Sequence, residues 1–457
     1  MRNQQTVPLR ATPRAVATLA TMTLLAACDF SADVAPVPRL DGGEMFQRTV
    51  AIGNSITAGF QSGGINDSTQ RESFALYLAH QVGLAVGPTS ASDYVYPSFP
   101  LPGCPAPIAN FATQARVGAP NNPPCTLRAA TTALINNVAV PGATVADPTS
   151  TAGNPTSGAL NLFILGGRSQ VERALMTRPT FATVWIGNND VLAQGLGGLV
   201  TPPTPVAAFQ QSYDAMIAEL TTNAPGTLRG VLIGVVQVAN VPLLFPVAAF
   251  DDPQFKAGFD QLAGRVPTSS DPFKSAELTI LPNCLQAPTT RVNLQLAAQI
   301  AAFRNDSTQP PASRAGHPPV ISCGSAAPLF PAPVGDAGIL TPAEQTTLAG
   351  VIDAYNAFIR AKASEIGFAY YDPNPLLLAQ RAPGGCINVV PNLAAIPAGG
   401  NPFGPCISLD GIHPARQAHV LVANQLIGVI NAAYDTEIPP VDAATGSRPV
   451  PISTLAP

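Results

Sequence analysis

Val50-Ala51-Ile52-Gly53-Asn54-Ser55-Ile56-Thr57-Ala58-Gly59 is the stretch on which the fold turns. An apolar run from Thr49 to Ile52 stops at a glycine, and a serine follows two residues later in a turn of small residues. Such a strand buries itself, the glycine lets the backbone turn, and the hydroxyl is left at the rim. This is the setting of an exposed nucleophile between a strand and a helix. Taken alone it reads more simply as a strand and a polar loop, so the rest of the chain has to decide.

Outward from this stretch, the patterns alternate between strand and helix. The first strand covers residues 48–52. Residues 72–82 carry Phe74, Leu76, Tyr77, Leu78 and Val82 at helical spacing. A short apolar strand is expected at 137–140, a helix at 160–176, and a strand at 181–186 that stops at Gly187. Thr204-Pro205 starts a helix with a cap candidate and proline in the first position. Residues 230–238 form the near-continuous apolar run of a strand buried on both faces. Thr341-Pro342-Ala343-Glu344 is a capping box that opens a helix to about Ile366. A strand at 368–371 and a helix at 414–434 follow. The alternation predicts an α/β fold, with a mostly parallel sheet and helices on both faces.

Irregular, proline-rich insertions lie near 87–130 and 251–338, the second with one helix expected at 292–303. Residues 46–434 read as one domain carrying these insertions, and 435–457 as a proline-rich peripheral tail. Hydrophobic residues make up 46% of the chain and charged ones only 11%, so it can bury a sizeable core under a sparsely charged surface. A net charge of -4, without a run of like charges, gives no support to nucleic-acid binding, which needs a basic patch.

Arg2, Arg10 and Arg14 precede an apolar run from Ala15 to Ala27, too short to span a bilayer, that ends in Leu25-Ala26-Ala27-Cys28. Residues 1–28 therefore read as a targeting segment, set apart from the fold. They resemble a bacterial lipoprotein signal, in which Cys28 is acylated and becomes the mature N-terminus. An ordinary secretory signal cut near Ala27 is the other reading. Residues 29–45 then form a flexible tether, and the expected location is the cell envelope, with a lipid anchor in a membrane. The remaining six cysteines suggest disulfides in an exported chain. Pairing of sequence neighbours is the simplest arrangement: Cys104–Cys125, Cys284–Cys323 and Cys386–Cys406. The cysteines are scattered and form no Cys-x-x-Cys, so a zinc site is not expected.

In a parallel α/β sheet, sites form beyond the carboxyl ends of the strands. Ser55 follows the first strand, Gly142 the second, and Gly187-Asn188-Asn189-Asp190 the third. Asp410-Gly411-Ile412-His413-Pro414 stands just before the last helix. Each motif is ordinary alone, as a turn or a helix cap. In this order, at these ends, they belong together.

Together they resemble the SGNH, or GDSL, hydrolase family of esterases and lipases. Gly53-Asn54-Ser55-Ile56 is similar to its first block, Gly142 to the glycine of the second, Gly187-x-Asn189-Asp190 to the third, and Asp410-x-x-His413-Pro414 to the last. The resemblance implies a flavodoxin-like three-layer sandwich, a serine nucleophile and no cofactor. It makes Ser55 the nucleophile, His413 the base and Asp410 its orienter, with Ser55, Gly142 and Asn189 as oxyanion donors. The chemistry fits: a serine hydroxyl is a weak nucleophile until a base takes its proton. One position departs from the family, because Asn54 stands where aspartate is usual.

Of the other histidines, His80 falls on a helix face, His317 in a proline-rich loop and His419 inside the last helix, structural or solvated. The expected substrate is a small ester or a lipid. A carbohydrate O-deacetylase of the same fold, or a non-catalytic envelope lipoprotein using the fold as a scaffold, are the alternatives. Residues 241–250 either line an acyl pocket or pack as a loop.

Overall fold

The computed structural model describes residues 43–118, 134–262, 279–280, 286–297, 320–321 and 338–444. The targeting segment with Cys28, the tether up to residue 42, Cys125, Cys284, Cys323, His317 and the tail beyond residue 444 lie outside them.

β1 (Thr49–Gly53) and β2 (Phe181–Trp185) are buried along their whole length, and β3 (Arg229–Ile233) at all but its first residue. Strands covered on both faces need no polar alternation, so they read as continuous apolar runs. With β4 (Ala369–Tyr371) they form one sheet in the order β1-β2-β3-β4, every neighbouring pair parallel.

Five helices cover this sheet: α1 (Phe74–Gln81), α2 (Gln170–Met176), α3 (Val206–Asn223), α4 (Pro342–Ile366) and α5 (Arg416–Tyr434). Successive strand side chains leave a sheet on opposite faces. Val50, Ile52, Val184 and Leu232 join one core cluster with Val171 of α2, Phe209 of α3 and Ile352 of α4. Ala51, Trp185, Val231 and Ile233 join the other with Phe74 of α1 and Leu426 of α5. The result is the three-layer α/β sandwich that the alternation predicts. The longest helix, α4, starts at the capping box, where the Thr341 hydroxyl accepts from the Glu344 N–H and the Glu344 carboxylate from the Thr341 N–H. It ends at Gly367, which takes the left-handed φ of 71° that favours glycine. No helix among the described residues is long and apolar enough to cross a membrane.

Several elements depart from the sequence reading. Residues 137–140 are not a full strand. They run parallel beside β1 through a single bridge, Ala51 to Asn137, with the Val138 and Val140 N–H groups donating to the Ala51 and Gly53 carbonyls at 2.9 and 3.1 Å. Ala51 also pairs with Thr183 of β2, so this segment lies on the opposite side of β1. The chain thus leaves β1 to one side and returns to the other. That reversal makes the carboxyl end of β1 a topological switch point, where α/β sheets place their ligand crevices.

The helix expected at 160–176 is two, Gly158–Leu165 and α2, parted by Gly166 and Gly167 in left-handed conformation and restarted by a Ser169–Glu172 capping box. Thr204 does not cap α3, because its hydroxyl donates to Asp190 Oδ1 at 2.8 Å. β3 ends at Ile233, short of the apolar run. Of the helix expected at 292–303, Val292 lies in a strand, residues 295–297 are helical, and 298–303 lie outside the described residues. That strand belongs to a small antiparallel sheet of Leu244–Pro246, Arg291–Asn293 and Ile339–Leu340.

Candidate active site

A side chain at Gly53 would not fit. Its Cβ would stand 2.4 Å from Thr57 Oγ1 and 2.7 Å from the Trp185 carbonyl oxygen. The turn therefore presses directly on the end of β2. Asn54 caps the short helix Ser55–Ala58, its Oδ1 accepting from the Ile56 N–H at 3.1 Å. Asn54 is buried. An aspartate could make the same cap but would bring a buried charge; the amide supplies the acceptor without one. Ser55 is the first helical residue.

The last motif folds into a tight return, with Ile407 bridged to Pro414 and the Ser408 N–H donating to the His413 carbonyl at 2.9 Å. Asp410 closes it. Its Oδ1 accepts from the Ile412 and His413 N–H groups, both at 2.9 Å, and from the Ser408 hydroxyl at 3.1 Å. Its Oδ2 faces His413 Nδ1 at 2.8 Å. Burial alone would raise this carboxyl, but the adjacent imidazole and the backbone donors outweigh it and hold the pKa down at about 2. An ionised carboxylate can only accept, so the imidazole proton sits on Nδ1. Nε2 then presents its lone pair to Ser55 Oγ, 2.9 Å away. The Phe60 ring packs against the imidazole, with centroids 5.0 Å apart.

Sequence reading missed what steadies Asp410. Ser62 and Gly63, both in left-handed conformation, form a turn between Gln61 and Gly64. The Gly63 N–H donates to Asp410 Oδ2 at 2.7 Å, the Ser62 N–H to Ser408 Oγ at 2.8 Å, and the Leu409 N–H to Ser62 Oγ at 3.1 Å. Ser-Gly is a turn signal, but nothing in the sequence links it to a loop 347 positions away.

Gly142 and Asn189 face Ser55 and His413 across a shared cleft. Gly142 has a φ of 82°, and a Cβ there would lie 2.9 Å from Thr156 Cγ2. Among the described residues, the N–H groups of Ser55 and Gly142 donate to no acceptor of the chain. Asn189 sits in the helical turn Asn188–Asp190, just past β2. Its Nδ2 donates to the Ala143 carbonyl at 2.7 Å, which leaves a second amide hydrogen for another acceptor. Two further carboxylates hold the glycine loop. Asp147 Oδ2 accepts from the Thr144 N–H and hydroxyl, and Asp190 Oδ2 accepts from the Val145 N–H at 2.8 Å. Burial pushes the Asp190 pKa up to about 6.

A second opening leads from Ser55, Asn189 and His413 into an apolar cavity walled by Trp185, Val238, Val241, Leu377, Ile412 and Leu421. Of residues 241–250, only Val241 and Pro242 reach it. Leu244, Phe245 and Val247 pack in the core instead. Cys406 also lines this cavity and is disulfide-bonded to Cys386. Cys104 is disulfide-bonded as well. His419 is fully buried and structural, its Nδ1 accepting from the Phe74 N–H at 3.2 Å. Burial first, and the nearby His413 second, push its pKa down to about 3. His80 is exposed near the end of α1. Among the described residues, no group of three or more histidine, cysteine or acidic side chains is placed to hold a metal ion.

A family model described as GDSL-like Lipase/Acylhydrolase matches residues 49–426, from β1 into α5. No curated protein matches the chain.

Proposed function

Because the chain belongs to the GDSL-like lipase/acylhydrolase family, we propose that it is a serine carboxylic ester hydrolase working through an acyl-enzyme on Ser55. The observation that carries this reading is the 2.9 Å contact between Ser55 Oγ and His413 Nε2, backed by Asp410 on the other ring nitrogen. His413 takes the hydroxyl proton as Oγ attacks the ester carbonyl carbon. Asp410 holds the tautomer and stabilises the imidazolium. The carbonyl oxygen becomes an oxyanion, which accepts from the N–H groups of Ser55 and Gly142 and from the second amide hydrogen of Asn189. The intermediate collapses, and the departing alkoxide takes the proton from Nε2. Water then repeats the attack on the acyl-enzyme, and the acid leaves. The test is hydrolysis of p-nitrophenyl esters by the purified protein. Activity abolished in Ser55→Ala supports the reading, and activity unchanged in that variant refutes it.

The enzyme works from the cell envelope in this reading, held to a membrane through Cys28. The support is the Leu25-Ala26-Ala27-Cys28 sequence after a basic and then apolar segment. Metabolic labelling with a radioactive fatty acid tests it. Label incorporated by the wild type and absent from Cys28→Ala is the expected result, and an unlabelled wild type contradicts it.

A further inference from the structure

We propose that Arg116 is a positioning residue for the reaction: through the Ser62–Gly63 turn it holds the Asp410 carboxylate against His413. The first insertion thereby becomes a brace for the catalytic acid. The inference rests on the ester-hydrolase reading above and deepens it. The Arg116 side chain is half-buried, and its Nη1 donates to two backbone carbonyls, that of Gly63 at 3.0 Å and that of Ala106. One nitrogen thus ties the insertion to the turn. The strand that carries it, Ala115–Arg116, pairs antiparallel with Ile108–Asn110. Ile108 donates its N–H to the Ser62 carbonyl at 2.7 Å. That carbonyl and the Gly63 N–H belong to one peptide unit, and the N–H donates to Asp410 Oδ2 at 2.7 Å. A run of hydrogen bonds therefore leads from Ile108 through this peptide to Asp410, His413 and Ser55. Bonds in such a chain polarise one another.

The turn needs a brace. Ser62 has a φ of 53° and Gly63 one of 64°. A left-handed residue with a Cβ is strained and persists only where its surroundings hold it. Once released, the turn relaxes and the Gly63 N–H leaves its line to Oδ2. The insertion packs closely enough to prevent this. A Cβ at Gly64 would stand 2.4 Å from the Pro107 nitrogen and 2.5 Å from the Pro105 oxygen, so backbone lies directly on backbone. The Cys104 N–H donates to the Ile65 carbonyl and the Ile65 N–H to the Pro105 carbonyl, both at 2.9 Å. Cys104 is itself held by a disulfide. To this contact Arg116 adds a charge-assisted hydrogen bond, made to the carbonyl of the same residue, Gly63, whose N–H meets Asp410.

Two substitutions test this. Arg116→Met removes the donors and keeps an unbranched side chain, whereas Arg116→Lys keeps one donor nitrogen on a shorter reach. Steady-state kinetics on p-nitrophenyl acetate are measured for each, alone and combined with Asp410→Asn. The expected result is a kcat lower by about tenfold in Arg116→Met and about threefold in Arg116→Lys, the scale of one hydrogen bond from a charged donor, with KM unchanged. Combined with Asp410→Asn, neither substitution costs anything further, because the group it positions has already lost its role. An unchanged kcat, a change confined to KM, or the same loss with and without Asp410 would each overturn the proposal; the last marks a general loosening of the fold. If Arg116→Met does not fold, Arg116→Lys decides by the same criteria. Absence of any hydrolysis by the wild type, or hydrolysis that survives Ser55→Ala, removes the ester-hydrolase reading itself. An active wild type with indifferent Arg116 variants removes only the brace.

Discussion

His413 Nε2 stands 2.9 Å from Ser55 Oγ, although 358 positions of chain separate the two residues. The sheet makes that contact possible. Ser55 sits at the switch point beyond β1, and the return that carries His413 is clamped beside it by the Ser62–Gly63 turn. Asp410 fixes which ring nitrogen bears the proton. Asp410→Asn can present an amide hydrogen to Nδ1 and so favour the wrong tautomer. Turnover of a p-nitrophenyl ester is expected to fall by about 10⁴-fold, with little change in KM. Steady-state kinetics measure both.

Gly142 has no room for a side chain, given Thr156 Cγ2 at 2.9 Å from the position of its Cβ and a φ of 82°. Gly142→Ala should displace the loop that carries one proposed oxyanion donor. A loss of about 10²–10³ in kcat is expected, with a smaller drop in thermal stability from the strained φ. Turnover and calorimetry on the same preparation separate the two effects.

Asp190 gives the fold a pH dependence of definite sign. Its pKa is raised to about 6 by burial, above the ordinary 3.8. The folded state therefore binds more protons than the unfolded one between these values. The stability it contributes is full below the unfolded pKa and is lost as pH rises through the folded pKa, by about 3 kcal/mol in all. Denaturant titrations across this window should show the wild type losing stability relative to Asp190→Asn. An identical pH slope in both proteins would exclude Asp190 as the source.

The Cys386–Cys406 bond spans a sequence separation of 20 residues. Chain-entropy arguments give such a link about 3 kcal/mol. Cys386→Ser should lower the unfolding free energy by an amount of that order in chemical denaturation.

Much of this architecture is legible in the sequence, for a physical reason. Strands buried on both faces must be apolar throughout, and each ends where a glycine allows close approach, as at Gly53 and Gly187. Asp410 and His413 lie three residues apart, so their pairing is local. Features that depend on distant segments leave no such mark. Leu377 and Leu421 read as ordinary apolar helix positions until the fold sets them around one cavity. The Ser62–Gly63 clamp is a common turn until it meets Asp410. Residues 137–140 mislead because an apolar edge segment looks like a strand. Thr204 misleads because a competing acceptor, Asp190, takes its hydroxyl.

The central claim is that Ser55 is the nucleophile. Intact-protein mass spectrometry after exposure to a fluorophosphonate probe tests it most directly, because the probe bonds covalently only to a serine activated by its base. The expected result is a single adduct, mapped to Ser55 by peptide analysis, absent from Ser55→Ala and strongly slowed in His413→Ala. An unlabelled wild-type protein, or an adduct that persists in Ser55→Ala, would contradict it.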